Sequence, residues 1–170
     1  MRAANLPHYQ LHGIPSGKDG VRSTLRIMAE LVRRYKTHPL IRELALSIVK
    51  SLPGRNYMGE AAAIQRYVQN HIRYVRDVHG VETLQTPVKT LQLGQGDCDD
   101  QSILTATLLQ AIGHPMRFLA IGTMAPDVFS HVLSETRFNS KWIPLETIHK
   151  WPPGKLPKTI MARMVEHIRK

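Results

Sequence analysis

The spacing of apolar residues changes character at Gly113, and that change limits the folds open to this chain. Before it, apolar residues recur every three or four positions, as in Leu25, Met28, Val32 and Tyr35, in Ile64, Val68, Ile72 and Val75, and in Leu104, Leu108 and Ala111. That is the period of a helix with one buried face. Beyond Gly113, residues 116–121 form a short apolar run, and residues 129–138 and 141–147 alternate around an Asn139-Ser140 turn. A period of two marks half-buried strands, and the last two should form a hairpin. Helices first and strands afterwards give an α+β domain.

The predicted helices cover residues 21–36, 39–50, 59–75 and 98–112, with Leu52-Pro53-Gly54 stopping the second and Gly113 the fourth. Residues 77–97 read as loop, punctuated by Gly80, Pro87, Gly94 and Gly96. Residues 1–20, with Pro7, Gly13, Pro15, Gly17 and Gly20, read as an extended arm. After a rigid connector at residues 151–157, residues 158–170 place Ile160, Met161, Met164, Val165 and Ile168 as the apolar side of a last amphipathic helix. The expected organisation is an arm at 1–20, one domain at 21–150, and a connector with a terminal helix at 151–170. A chain of 170 residues can close such a core without disulfides or a structural metal.

Composition excludes several classes. No stretch approaches the 18–20 apolar residues of a membrane span, and the N-terminus lacks the apolar run of a secretory signal, so synthesis in the cytosol is expected. The formal net charge of +10 calls for an acidic partner such as nucleic acid, an anionic polymer like cell wall, or an acidic protein surface. No zinc finger, RNA-recognition signature or basic run interleaved with aromatics supports sequence readout of nucleic acid. His8 and His12 have helical ligand spacing, but Pro7 and Gly13 argue against a helix there, and no metal or other cofactor is expected. A single cysteine, Cys98, rules out an intramolecular disulfide and leaves either an inert core thiol or a reactive one.

The run Gly94-Gln95-Gly96-Asp97-Cys98-Asp99-Asp100 puts that thiol at the first position of a helix, with Asp97 as N-cap and Asp100 completing a capping box. The helix dipole favours thiolate there, while the three aspartates oppose it. A cationic histidine near the sulfur is therefore required, and the chain offers nine. A symmetric turn at Asn139-Ser140 pairs positions that sum to 279, which makes His131 and Glu146 diagonal neighbours about 7–8 Å apart on one face, a gap that long side chains bridge. Glu135 lies on the same strand face as His131 but roughly 13 Å along it. Asp127 is equally distant unless the chain bends, so Glu146 is the expected partner of His131.

Cysteine, histidine and acid on a helix start and two neighbouring strands form the nucleophile, base and orienting group of cysteine acyl-transfer enzymes. The glycine-turn cysteine helix with Leu104, the Ala111-Ile112-Gly113-His114-Pro115 turn, the strand residue His131, and Trp142-Ile143-Pro144-Leu145-Glu146-Thr147 together resemble the transglutaminase-like core of the papain-like superfamily. The likeness covers about residues 57–150, with Ile72-Arg73-Tyr74 and residues 87–91 as its approach to the cysteine. It implies a central catalytic helix packed on a small antiparallel sheet, with Cys98, His131 and Glu146 as the triad. Glutamate stands where the family usually has aspartate, and Val132-Leu133 replaces its common small-residue and tryptophan pair.

The implied reaction is thiolate attack on an amide carbonyl of a protein or peptidoglycan-like peptide. The backbone N–H of Cys98 and a second donor, Gln92 or Gln95, would hold the oxyanion. Compact proteins of this kind also resemble phage tail or virion components, which gives the arm and terminal helix an expected role in docking to an assembly. The rival readings are an assembly protein that keeps the fold with an idle triad, and a basic factor associated with nucleic acid.

Overall fold

The computed structural model describes residues 8–10, 17–76 and 83–169. The described residues form helices α1 (Lys18–Tyr35), α2 (Pro39–Val49), α3 (Tyr57–His71), α4 (Pro87–Leu93) and α5 (Cys98–Ala111). Short strands β1 (His8–Gln10), β2 (Arg73–Tyr74), β3 (Thr83–Gln85) and β4 (Gln95–Gly96) precede the longer β5 (Met116–Gly122), β6 (His131–Phe138), β7 (Lys141–Leu145) and β8 (Ala162–Ile168). The last four make one antiparallel sheet in the order β7-β6-β5-β8. The α+β architecture with helices first is as expected.

The hairpin has the anticipated register, with Phe138 opposite Lys141 and Ser134 opposite Leu145. Asn139 and Ser140 both adopt positive φ, as a type I′ hairpin turn requires. Residues 158–170 correct the sequence reading: the expected amphipathic helix is strand β8, paired with β5 from Met116–Ile168 to Gly122–Ala162. Within β8, Met164 and Ile168 pack on the core while Val165 is exposed on the other face, and β5 offers an open row of N–H and C=O groups that pairing with β8 satisfies. The terminal segment is thus part of the central sheet and no free docking helix.

Two further corrections lie ahead of the cysteine. The third helix stops at His71, where Ile72 turns extended, and Arg73 and Tyr74 pair in parallel with Gln95 and Gly96. Residues 77–97 were expected as loop, yet those described hold β3, α4 and β4. Pro87 is the reason for α4, since proline near a helix start fits behind Thr86, whose hydroxyl caps the N–H of Lys89. At the other end, β1 of the arm pairs with β3, while residues 1–7 and 11–16 lie outside the described part, as does His12 of the spaced histidine pair.

Helix α5 is buried on every side from Asp100 to Leu109, between the other helices and the sheet. Gln101, Ser102 and Thr105, the polar residues on the Cys98 side of the helix, are interior residues. Each is small or fully hydrogen-bonded at its donor: Gln101 Nε2 donates to Ile72 O and Gly96 O, Ser102 Oγ to Val132 O and Thr105 Oγ1 to Gln101 O. A second cluster covers the other side of the sheet, where Leu156 and Ile160 of the connector pack on Leu119, Ile121 and Leu133.

The glycines before Cys98 have separate reasons. Gly94 ends α4 with φ of 62°, a left-handed residue. Gly96 is open to no side chain, because a Cβ there would sit 2.6 Å from Asp100 Cβ and 2.9 Å from Asp100 Oδ2. Gly96→Ala is therefore expected to destabilise the protein by about 1–3 kcal/mol, read from urea unfolding at neutral pH. A variant as stable as the parent would show that this contact relaxes freely.

Candidate active site

The start of α5 is built from its own acids. Asp97 Oδ1 accepts from the N–H of Asp100 at 3.0 Å, and Asp100 Oδ2 accepts from the N–H of Asp97 at 3.3 Å, which closes the capping box. Asp100 Oδ1 also accepts from the N–H of Gln85 at 2.8 Å, so a fully buried carboxylate ties β3 to the helix. The sequence signalled the box and not the tether, because nothing local marks Gln85 as its partner.

Cys98 is partly buried at the first helical position. Its thiol donates to Asp99 Oδ1 at 3.4 Å. Burial first, then the charges of Asp99 and Asp97, hold the thiol far above its ordinary range; the backbone N–H of Val132 works against them. That N–H belongs to the residue after His131. Ser102 Oγ meets the carbonyl of the same Val132 at 3.2 Å, so α5 is fixed to the first residues of β6.

His131 and Glu146 meet as the register requires: His131 Nε2 lies 2.7 Å from Glu146 Oε2. A carboxylate only accepts, so Nε2 carries a proton and Nδ1 is the nitrogen left to act as base. Glu146 Oε1 accepts from the N–H groups of Ile148 at 2.7 Å and His149 at 3.3 Å. Burial taken alone would raise this carboxyl, but the His131 bond and charge and the two backbone N–H groups outweigh it, and the group is held below the usual glutamate range. The competing acids are engaged elsewhere, Glu135 with Arg117 at 2.5 Å and Asp127 with Lys18 at 2.7 Å.

The two oxyanion candidates differ. Gln95, on β4, accepts from Arg73 Nη2 through Oε1 at 2.7 Å, which leaves its amide N–H groups uncommitted by that bond. Gln92 is exposed on α4. Sequence reasoning missed two other glutamines, Gln65 and Gln69 of α3, whose Nε2 atoms reach the carbonyl of Glu146 at 2.6 and 2.9 Å. Their signal was their spacing of four beside the Ile64 and Val68 stripe.

This order of cysteine helix, histidine strand and acidic strand corresponds to a known family model, that of the transglutaminase-like superfamily, which matches residues 42–147. The chain belongs to the transglutaminase-like superfamily. No curated protein matches it by sequence. Among solved structures this superfamily member is similar to a candidate protease from Parabacteroides distasonis, with a TM-score of 0.57 and 15% identity over 76% of this chain and 27% of that one. A candidate cysteine protease from Cytophaga hutchinsonii gives 0.56 and 17% over 81% and 47%. LapG from Legionella pneumophila, in an EGTA-treated form, gives 0.52 and 16% over 75% and 73%. The chain thus spans less than half the length of the first two. The transglutaminase-like fold is common to all of them. No helix among the described residues is long and apolar enough to cross a membrane.

Because Glu146 titrates lower in the folded chain than in the unfolded one, its ionised form contributes stability that is complete above about pH 5 and is lost as pH falls through the folded value. Glu146→Gln is expected to cost about 1–3 kcal/mol at pH 7 and to flatten the acid limb of the stability profile, measured by urea unfolding between pH 7 and pH 3. An unchanged acid limb would remove Glu146 as its source.

Proposed function

We propose that the protein is a cysteine-dependent amide hydrolase or acyl transferase in which Cys98 is the nucleophile, His131 the general base and acid, and Glu146 the group that orients and stabilises the imidazole. The observation that carries this reading is the His131 Nε2 to Glu146 Oε2 bond, made while the Val132 N–H beside it reaches the sulfur of Cys98. The resting thiol is bonded to Asp99 and held protonated. Turning the thiol from Asp99 to His131 Nδ1, a rotation about its own side-chain torsion, transfers its proton and forms a thiolate–imidazolium pair in the free protein.

The thiolate then adds to the amide carbon, and the oxyanion is held by the Cys98 N–H, an orphan donor of the first helical turn, together with the Gln95 carboxamide. Collapse breaks the C–N bond, and the amine leaves with the proton from His131. Water or a second amine then attacks the thioester, His131 takes the proton of the attacking group, and the thiolate is released. Water gives a peptidase and an amine gives a transferase. A protein or peptidoglycan-like peptide is the substrate class, and an anionic wall or protein surface suits the net charge of +10.

Alkylation of Cys98 by iodoacetamide, followed by intact mass between pH 5 and pH 9, tests the assignment. The parent should react near neutral pH, with His131→Ala slower by about a hundredfold and Glu146→Gln between the two. Equal, slow labelling of all three would overturn the activated thiol.

A further inference from the structure

The turn that carries the acid has lost its strand neighbours. Pairing of β6 with β7 ends at Ser134 and Leu145, one residue before Glu146. The side chain of Glu146 is held by His131 and by the N–H groups of Ile148 and His149, all of which belong to the site or to the same turn. A turn that closes only on itself can shift as a unit and carry Glu146 Oε2 away from the imidazole.

Helix α3 supplies the outside anchor. Gln65 Nε2 donates to Glu146 O at 2.6 Å and to Trp151 O at 2.9 Å. Gln69 Nε2 lies 2.9 Å from Glu146 O, 3.0 Å from Trp151 O and 3.1 Å from His149 O. The two carboxamides have four N–H bonds for these five contacts, so at least one is shared, and every donor is directed at the segment from Glu146 to Trp151. Gln65 is fully buried, and the backbone carbonyl it serves is at a residue that is itself 1% exposed. The carbonyl of buried Glu146 is left without a side-chain donor if both glutamines are removed, and an unmet buried acceptor costs more than the bond contributes.

We propose that Gln65 and Gln69 are positioning residues that act through Glu146, holding the acid turn against α3 so that the imidazole of His131 stays aimed. This rests on the reading of Cys98, His131 and Glu146 as a triad. It makes α3 part of the catalytic apparatus without contributing any group that touches substrate.

The test is the iodoacetamide rate of Cys98 in Gln65→Met/Gln69→Met, with and without His131→Ala. Methionine keeps volume and removes the donors. In the parent background the double variant should react about tenfold slower, with its pH profile moved upward toward that of His131→Ala, since a misplaced carboxylate stabilises imidazolium less. In the His131→Ala background the same change should leave the rate as it is. Gln69→Met alone, at a partly exposed position and so easier on folding, should show a smaller slowing of the same kind. Equal slowing in both backgrounds, or a parent rate that both glutamine variants leave unchanged while His131→Ala lowers it, would overturn the positioning role. A parent rate indifferent to His131→Ala would overturn the triad itself, and the role with it.

Discussion

Asp100 is a carboxylate without solvent exposure, and the position of Cys98 follows from how it is satisfied. It accepts the N–H of Asp97 to close the capping box, accepts the N–H of Gln85 to hold β3, and packs so closely on Gly96 that only glycine fits there. A buried charge is tolerable when hydrogen bonds replace its hydration, and these are bonds of the stronger, charge-assisted kind. The first turn of α5 is thereby fixed relative to the strands on one side, and the Ser102 bond to Val132 fixes it relative to β6 on the other. Cys98 has little freedom beyond its own side-chain torsion.

The same acids that place the thiol also oppose its ionisation. Burial and the charges of Asp99 and Asp97 favour the protonated form, against the helix dipole and one backbone N–H. A residue so placed is a poor nucleophile alone and a conditional one beside an imidazole. In the proposed triad that condition comes from chain far away in sequence: His131 lies in the sheet, Glu146, bonded to it, follows the end of β7, and the glutamines that meet the Glu146 carbonyl lie on α3. On the proposed reading, three separate elements have to be packed correctly before the sulfur gains a base.

Much of this was legible before the structure, for identifiable reasons. The capping box is local, so Asp97 and Asp100 showed where α5 begins; the Asn139-Ser140 turn fixes register, so the pairing of His131 with Glu146 followed by arithmetic. What failed involved partners distant in sequence. Residues 158–170 carry an apolar spacing that fits a helix or a strand, and the open edge of β5 decided for strand. The burial of Gln101 and Ser102 was not legible either, because nothing in the sequence marks the backbone carbonyls that meet them inside. Gln65 and Gln69 were passed over for the same reason, since their acceptors lie about eighty residues away.

The central claim is that His131 makes a thiolate of a thiol that its other neighbours hold protonated. Thiolate absorbance near 240 nm, titrated from pH 4 to pH 11 in the parent and in His131→Ala, measures this without any substrate. The account predicts a parent thiolate that forms below the ordinary thiol pKa of about 8.5 and a variant whose thiolate appears only well above it. Superimposable titrations at or above the ordinary value would contradict it.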